Sequence, residues 1–188
     1  MTQPHVLFIQ GGGEGAHDAD AALAESLKKT LGPDYIVRFP RMPNEASPNL
    51  AAWKRKLDVE LSNGRGDLVL VAHSLGASIL LKYLDEGNAD VRNMPIAGLF
   101  LLAAPAWDGD KWSFDDLKLS PDIADKLADI PQVFLYHCRD DEVVPFAHLA
   151  LHAEQLPEAT LREIDMGGHQ FGNDLSEVAD DILGGEAA

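Results

Sequence analysis

The feature that most constrains this chain is an alternation of two kinds of segment. Short runs that are apolar at nearly every position take turns with segments whose apolar residues recur at helical spacing. His5-Val6-Leu7-Phe8-Ile9 is the first such run, and a glycine-rich loop closes it. Leu23, Leu27 and Leu31 follow at i, i+4 and i+8, the stripe of an amphipathic helix. Tyr35 to Phe39 reads as a second strand, stopped by Pro40. Ser47-Pro48 reads as a helix start, with Ser as the cap and Pro at the first helical position. Leu50, Trp53, Leu57 and Leu61 form that helix's apolar stripe. Further strands are expected from Asp67 to Ala72, Ile96 to Ala103, Gln132 to Cys138 and Thr160 to Asp165. Further helices are expected from about Leu75 to Leu84, around Phe146, Leu149, Ala150 and Ala153, and around Leu175, Val178, Ala179 and Ile182. Strands that are continuously apolar, rather than alternating, belong in a sheet covered on both faces. Their alternation with helices makes that sheet parallel. The expected fold class is α/β, a three-layer sandwich around one mostly parallel six-stranded sheet.

A chain of 188 residues suits a single domain, residues 1–188. The stretch from Pro105 to Ile130 breaks the rhythm. It is acidic, holds Trp107, Trp112 and Phe114, and reads as a short cap insertion (105–130) over the carboxyl ends of the strands. Open α/β sheets bind their ligands at that edge. The 15 basic and 31 acidic residues leave a net charge of −16 and a pI near 4.6. Such a chain repels phosphate backbones and anionic lipid, which argues against nucleic acid or a membrane as partner. No apolar run approaches the roughly 20 residues of a membrane span. The N-terminus lacks the basic region of a signal peptide, and the one cysteine, Cys138, permits no internal disulfide. A cytoplasmic protein is expected.

The strongest chemical signal is Ala72-His73-Ser74-Leu75-Gly76, where a strand passes directly into a helix. That is the setting of a nucleophile elbow, written G-x-S-x-G, in which small residues flank a serine on a strained turn. Here Ala72 stands in the place of the first glycine. A serine hydroxyl is a weak nucleophile until a base takes its proton. Gly167-Gly168-His169, after the sixth strand, offers that base, and the two glycines permit a turn back toward the sheet. An acid is needed to orient the imidazole. Arg139-Asp140-Asp141-Glu142-Val143-Val144-Pro145, after the fifth strand, offers Asp140 and Asp141. The order Ser, Asp, His differs from that of both chymotrypsin and subtilisin.

On these residues the chain resembles the α/β-hydrolase superfamily. It is most similar to the small single-domain serine hydrolases of the retinoblastoma-binding protein 9 and YdeN type. The likeness spans the N-terminal strand with its glycine-rich loop, Ala72-His73-Ser74-Leu75-Gly76, Asp141-Glu142-Val143-Val144-Pro145 and Gly168-His169. It implies a minimal hydrolase fold with strand order 2-1-3-4-5-6, a short cap and no cofactor. In such proteins the acid precedes a Val-Pro pair as D-x-x-V-P, which selects Asp141 over Asp140. The implied function is hydrolysis of small carboxylic esters, or of amides or thioesters, by a Ser74–His169–Asp141 triad through an acyl-enzyme. An oxyanion hole is then required. The Leu75 N–H supplies one donor, and Gly12 or Gly13 of the loop after the first strand supplies the other, with Gln10 where related esterases carry His. Trp107 and Trp112 are candidates to line the substrate pocket.

Other readings compete. The same fold with an idle triad would serve an interaction protein with a protein partner. Gly11-x-Gly13-x-x-Ala16 also fits a dinucleotide fingerprint, with Arg38 and Arg41 placed for an NADP phosphate, but an oxidoreductase leaves Ser74, Asp141 and His169 unexplained. His148 and His152 lie at i, i+4 without the intervening Glu of a zinc motif, so no metal site is expected. His73 is expected to pack away from the site, His17 to be a solvated loop residue, and His137 and Cys138 to be core.

Overall fold

The computed structural model describes residues 3–63, 67–87, 91, 93–107 and 115–185. Six strands form one sheet: β1 (His5–Ile9), β2 (Ile36–Arg38), β3 (Leu68–His73), β4 (Ile96–Leu102), β5 (Val133–Cys138) and β6 (Thr160–Ile164). Their order is β2-β1-β3-β4-β5-β6, and every pairing is parallel. Among the described residues six helices surround it: α1 (Ala16–Leu31), α2 (Leu50–Ser62), α3 (Leu75–Asp85), α4 (Ile123–Leu127), α5 (His148–Gln155) and α6 (Ser176–Gly185).

The strand sequences explain the layers. Successive side chains point to opposite faces. Leu7, Ile9, Leu70, Ala72, Leu99 and Leu101 pack with α2, α3, α4 and α5 on one side. Val6, Phe8, Val69, Val71, Phe100 and Leu102 pack with α1 and α6 on the other. β1 and β3 are apolar on both faces because both faces are covered. The edge strands are less enclosed: Ile36 of β2 and Leu161 of β6 are exposed.

The start of α2 departs from the sequence expectation. Ser47 closes a turn with Asn44, and Asn49 is the N-cap. Its extended backbone lets Oδ1 accept the Ala52 N–H at 3.0 Å. No helix among the described residues is long and apolar enough to cross a membrane.

All six strands run the same way, so the segments leaving β1, β3, β5 and β6 emerge at one edge. The chain order reverses between β1 and β3, the switch point at which such sheets open a crevice.

Candidate active site

The β3–α3 junction is as tight as its sequence suggests. Ser74 has φ 52° and ψ −127°, a conformation disfavoured for a residue with a Cβ. Its N–H is held by the Leu102 carbonyl at 2.8 Å, so the β3–β4 ladder extends into the turn. The small neighbours are needed because β1 passes close by. A Cβ on Gly76 would lie 2.0 Å from the Gln10 carbonyl oxygen. Ala72 is fully buried, on the strand flanked by β1 and β4.

His169 reaches Ser74 from the loop after β6. Its Nε2 is 3.0 Å from Ser74 Oγ. Its Nδ1 is 2.9 Å from Asp141 Oδ2 and 3.1 Å from Oδ1. Asp141 also accepts the N–H groups of Val143 and Val144, each at 2.8 Å, and lies 3.2 Å from His137 Nε2. Burial opposes its charge, but these donors outweigh it and hold the carboxyl well below the usual range. The neighbouring Asp140 turns the other way. It accepts the N–H groups of Gly168 and Gly167, and those two bonds hold its pKa below the usual carboxylate value and shape the turn that carries His169. Both carboxylates therefore serve His169, one at the ring and one at the backbone leading to it.

An acceptor at Asp141 assigns the proton of His169 to Nδ1. Nε2 is then the unprotonated nitrogen facing Ser74 Oγ, and it can receive the hydroxyl proton. The arrangement supplies an activated serine, the chemistry of acyl transfer.

The glycine-rich loop is held at three points. The Gly11 N–H donates to Asp20 Oδ2 at 2.7 Å, and the Gly13 N–H donates to the Glu45 carbonyl at 2.7 Å. Gln10 is fully buried, accepts the Met42 N–H and donates to the Glu45 carboxylate. Among the described residues, the N–H groups of Gly12 and Leu75 donate to no protein acceptor. Gly12 lies directly against Leu75, whose Cδ2 is 2.4 Å from where a Cβ of Gly12 would be.

Beside these two residues a cleft of about 500 Å³ is lined by Pro48, Leu50, Leu75, Ile79, Trp107 and Leu117, with Lys54 and Asp116 among its polar members. Trp107 thus stands in a cleft that starts at the strand edge, whereas Trp112 lies outside the described residues. The arginines of the dinucleotide reading are engaged elsewhere. Arg38 pairs with Glu60, and Arg41 pairs with Asp18 and Glu45.

The other histidines each have specific partners. His17 belongs to α1 and stacks on Phe39 with ring centroids 4.3 Å apart. His137 is buried, but its Nε2 bonds the Val144 carbonyl as well as facing Asp141. His148 accepts the Ala106 N–H, and His152 bonds the Ala104 carbonyl, so both tie down the segment after β4. His73 does not simply pack: it is buried among polar partners behind Ser74.

Comparison with known proteins agrees with this geometry. A family described as "Serine hydrolase" matches residues 24–173. YdeN of Bacillus subtilis (strain 168), a protein named as a hydrolase, is 27% identical over 151 residues, covering 76% of this chain and 75% of that one. The crystal structure of the B. subtilis ydeN product covers 100% of both chains with a TM-score of 0.71 at 20% identity. A serine hydrolase without a lid from Xanthomonas campestris covers 98% of this chain and 81% of its own, with a TM-score of 0.64 at 16% identity. At such identities the structural likenesses speak for the fold, whereas the family match spans most of the sequence, including Ser74, Asp141 and His169. The chain belongs to the serine hydrolase family, within the α/β-hydrolase superfamily.

Proposed function

We propose that this protein cleaves small carboxylic esters through an acyl-enzyme on Ser74. The observation that carries the reading is the continuous relay Ser74 Oγ–His169 Nε2, at 3.0 Å, and His169 Nδ1–Asp141 Oδ2, at 2.9 Å. In the first half-reaction Nε2 takes the hydroxyl proton as Oγ attacks the ester carbonyl carbon. Asp141 stabilises the imidazolium that forms. The carbonyl oxygen becomes an oxyanion, and the N–H groups of Leu75 and Gly12 are its donors. Gly12 is preferred to Gly13 because the Gly13 N–H already serves the Glu45 carbonyl. The tetrahedral intermediate collapses, and the alcohol leaves with the proton from His169. Water repeats the sequence on the acyl-enzyme and frees the acid. No step needs a metal or a redox cofactor. Amides and thioesters could follow the same steps.

We assign the cleft at Leu75 and Trp107 to the substrate and residues 105–130 to a short cap of a single domain. A volume of about 500 Å³ falls in the range that takes a small organic molecule. The natural setting of this reading is the cytoplasm, with a small ester as partner rather than nucleic acid or membrane. A fluorophosphonate probe combined with p-nitrophenyl esters of graded acyl length tests it. Covalent labelling at Ser74 is expected, with turnover that falls as the acyl chain outgrows the cleft. A folded protein that neither labels nor turns over any ester would remove the enzyme reading and favour an interaction protein.

A further inference from the structure

His169 is held at both ends of its peptide unit as well as at its ring. Its N–H donates to Glu142 Oε2 at 3.0 Å. Its carbonyl faces His73 Nε2 at 2.9 Å. The other ring nitrogen of His73, Nδ1, is 3.0 Å from both oxygens of Asp20. Asp20 Oδ2 in turn accepts the N–H of Gly11, the residue before Gly12. Asp20 and His73 are each 1% exposed. They join α1, the residue preceding Ser74, the loop after β1 and the loop after β6.

The ring of His73 meets acceptors on both sides. A carbonyl oxygen cannot donate, so Nε2 must carry a hydrogen. Asp20 accepts the Gly11 N–H, and although burial opposes its charge its carboxyl is held below the usual range, so it is charged and Nδ1 carries a hydrogen too. Asp20 also receives a hydrogen bond from Gln170. Phe171 packs against His73 in a T-shaped contact, with ring centroids 6.1 Å apart.

We propose that Asp20 and His73 form a buried carboxylate–imidazolium brace that positions the His169 backbone and the oxyanion loop around Ser74. Neither residue touches substrate. The brace fixes the distance between the proton acceptor and the oxyanion donors by tying their backbones to one another through a pair that exchanges no proton during turnover. This rests on the ester-hydrolase reading, which phosphonylation and wild-type turnover test separately.

The ring state is read directly from long-range proton–nitrogen spectra of protein carrying nitrogen-labelled histidine. The expected signature of His73 near neutral pH is a hydrogen on both ring nitrogens, identified by its loss in a His73→Phe variant. A ring with one unprotonated nitrogen would overturn the charged brace. Function is read as kcat per phosphonylated site, so that unfolded protein is not counted. His73→Phe combined with Asp20→Asn removes the donor to His169 without stranding a buried charge. It should lower kcat on the order of 10²-fold, the scale of a misplacement of about 1 Å, with KM nearly unchanged. Asp20→Asn alone lets a neutral ring and an amide keep the bonds to the Gly11 N–H, to the His169 carbonyl and between the pair, so it should cost less than about 10-fold. A double variant with wild-type kcat per titrated site would show that the brace serves folding alone and would overturn the proposal. Should the double variant fail to fold, the ring state and Asp20→Asn still decide: a singly protonated ring, or a loss from Asp20→Asn on the order of 10²-fold, contradicts it.

Discussion

Two aspartate–histidine pairs lie within a few ångströms of Ser74, and they do different work. In both, a buried carboxylate meets Nδ1 of an imidazole at about 3 Å. The rings are neighbours, with centroids 4.7 Å apart. What separates them is the group at Nε2. His169 faces a hydroxyl, which can give up a proton, whereas His73 faces a carbonyl, which cannot. The first pair can therefore cycle between neutral and charged rings, and the second is fixed in one state. An Asp–His pair is therefore not catalytic by composition. Its third partner decides whether it moves protons or holds a backbone in place.

The contrast is broken most severely by removing that third partner. Ser74→Ala leaves the His169–Asp141 pair in place but with nothing to deprotonate. Turnover of a short ester should fall on the order of 10⁶-fold, as in other triad knockouts. Measured kcat of a folded Ser74→Ala protein close to wild type would move the nucleophile elsewhere. The next largest effect is expected from Asp141→Asn. An amide can hold the wrong tautomer of His169, an error that costs up to about 10⁴-fold in the serine-protease case. The variant also leaves His137 Nε2 and the two backbone donors without their carboxylate partner, so circular dichroism must accompany the kinetics.

Asp140 sharpens the same comparison at a smaller scale. It supports His169 only through the backbone of Gly167 and Gly168, so Asp140→Asn, whose amide oxygen still accepts, should keep most of the activity. A loss of about 10-fold or less in kcat is expected, in line with weakened rather than lost hydrogen bonds. The reverse ranking of Asp140→Asn and Asp141→Asn would transfer the acid to Asp140 while leaving Ser74 and His169 in their roles.

Much of this was legible in the chain because two simple rules apply. Strands buried on both faces must be apolar along their length, and Leu68 to Ala72 is. Residues at the carboxyl ends of parallel strands converge, which brings Ser74, Asp141 and His169 to one edge from three separate segments. The second pair was hidden because its members carry no motif. Asp20 nevertheless leaves a trace: it sits on the buried stripe of α1 with Leu23, Ala24, Leu27 and Leu31. A carboxylate on an apolar stripe needs a partner, and the chain alone does not say that His73 is that partner. The helix after β5 misleads for a related reason. Its expected stripe included Ala150 and Ala153, yet Ala150 is exposed and His148 and His152 face inward. The irregular segment after β4 carries buried backbone groups that need hydrogen bonds, and imidazoles supply them where methyl groups cannot. The cap of α2 moved from Ser47 to Asn49 because both are good capping residues and only the path of the preceding loop decides between them.

His152 extends the comparison to a ring without any carboxylate, and it is where the smallest effect on catalysis is expected. Its Nε2 bonds the Ala104 carbonyl at 3.1 Å, while Nδ1 is buried without a hydrogen-bond partner among the described residues. Charging the ring would place a proton on that enclosed nitrogen. Burial accordingly pushes its pKa down from 6.5 to about 4, with the nearby His148 and His137 acting in the same direction. Between about pH 6.5 and pH 4 the unfolded chain binds a proton at this site and the folded protein does not, so stability is complete above that window and is lost as pH falls through it. The loss between about pH 7 and pH 5 should be on the order of 2 kcal/mol. The carboxylates held below their usual range, Asp141 and Asp20, add their own losses at lower pH. His152→Gln keeps a donor for the Ala104 carbonyl and has no proton to gain. Its urea midpoint should fall less steeply over that interval, while kcat per phosphonylated site at neutral pH stays at the wild-type value. Equal slopes for the two proteins would place the acid sensitivity at another histidine. A loss of kcat would show that the segment after β4, which His152 holds, helps to shape the site itself.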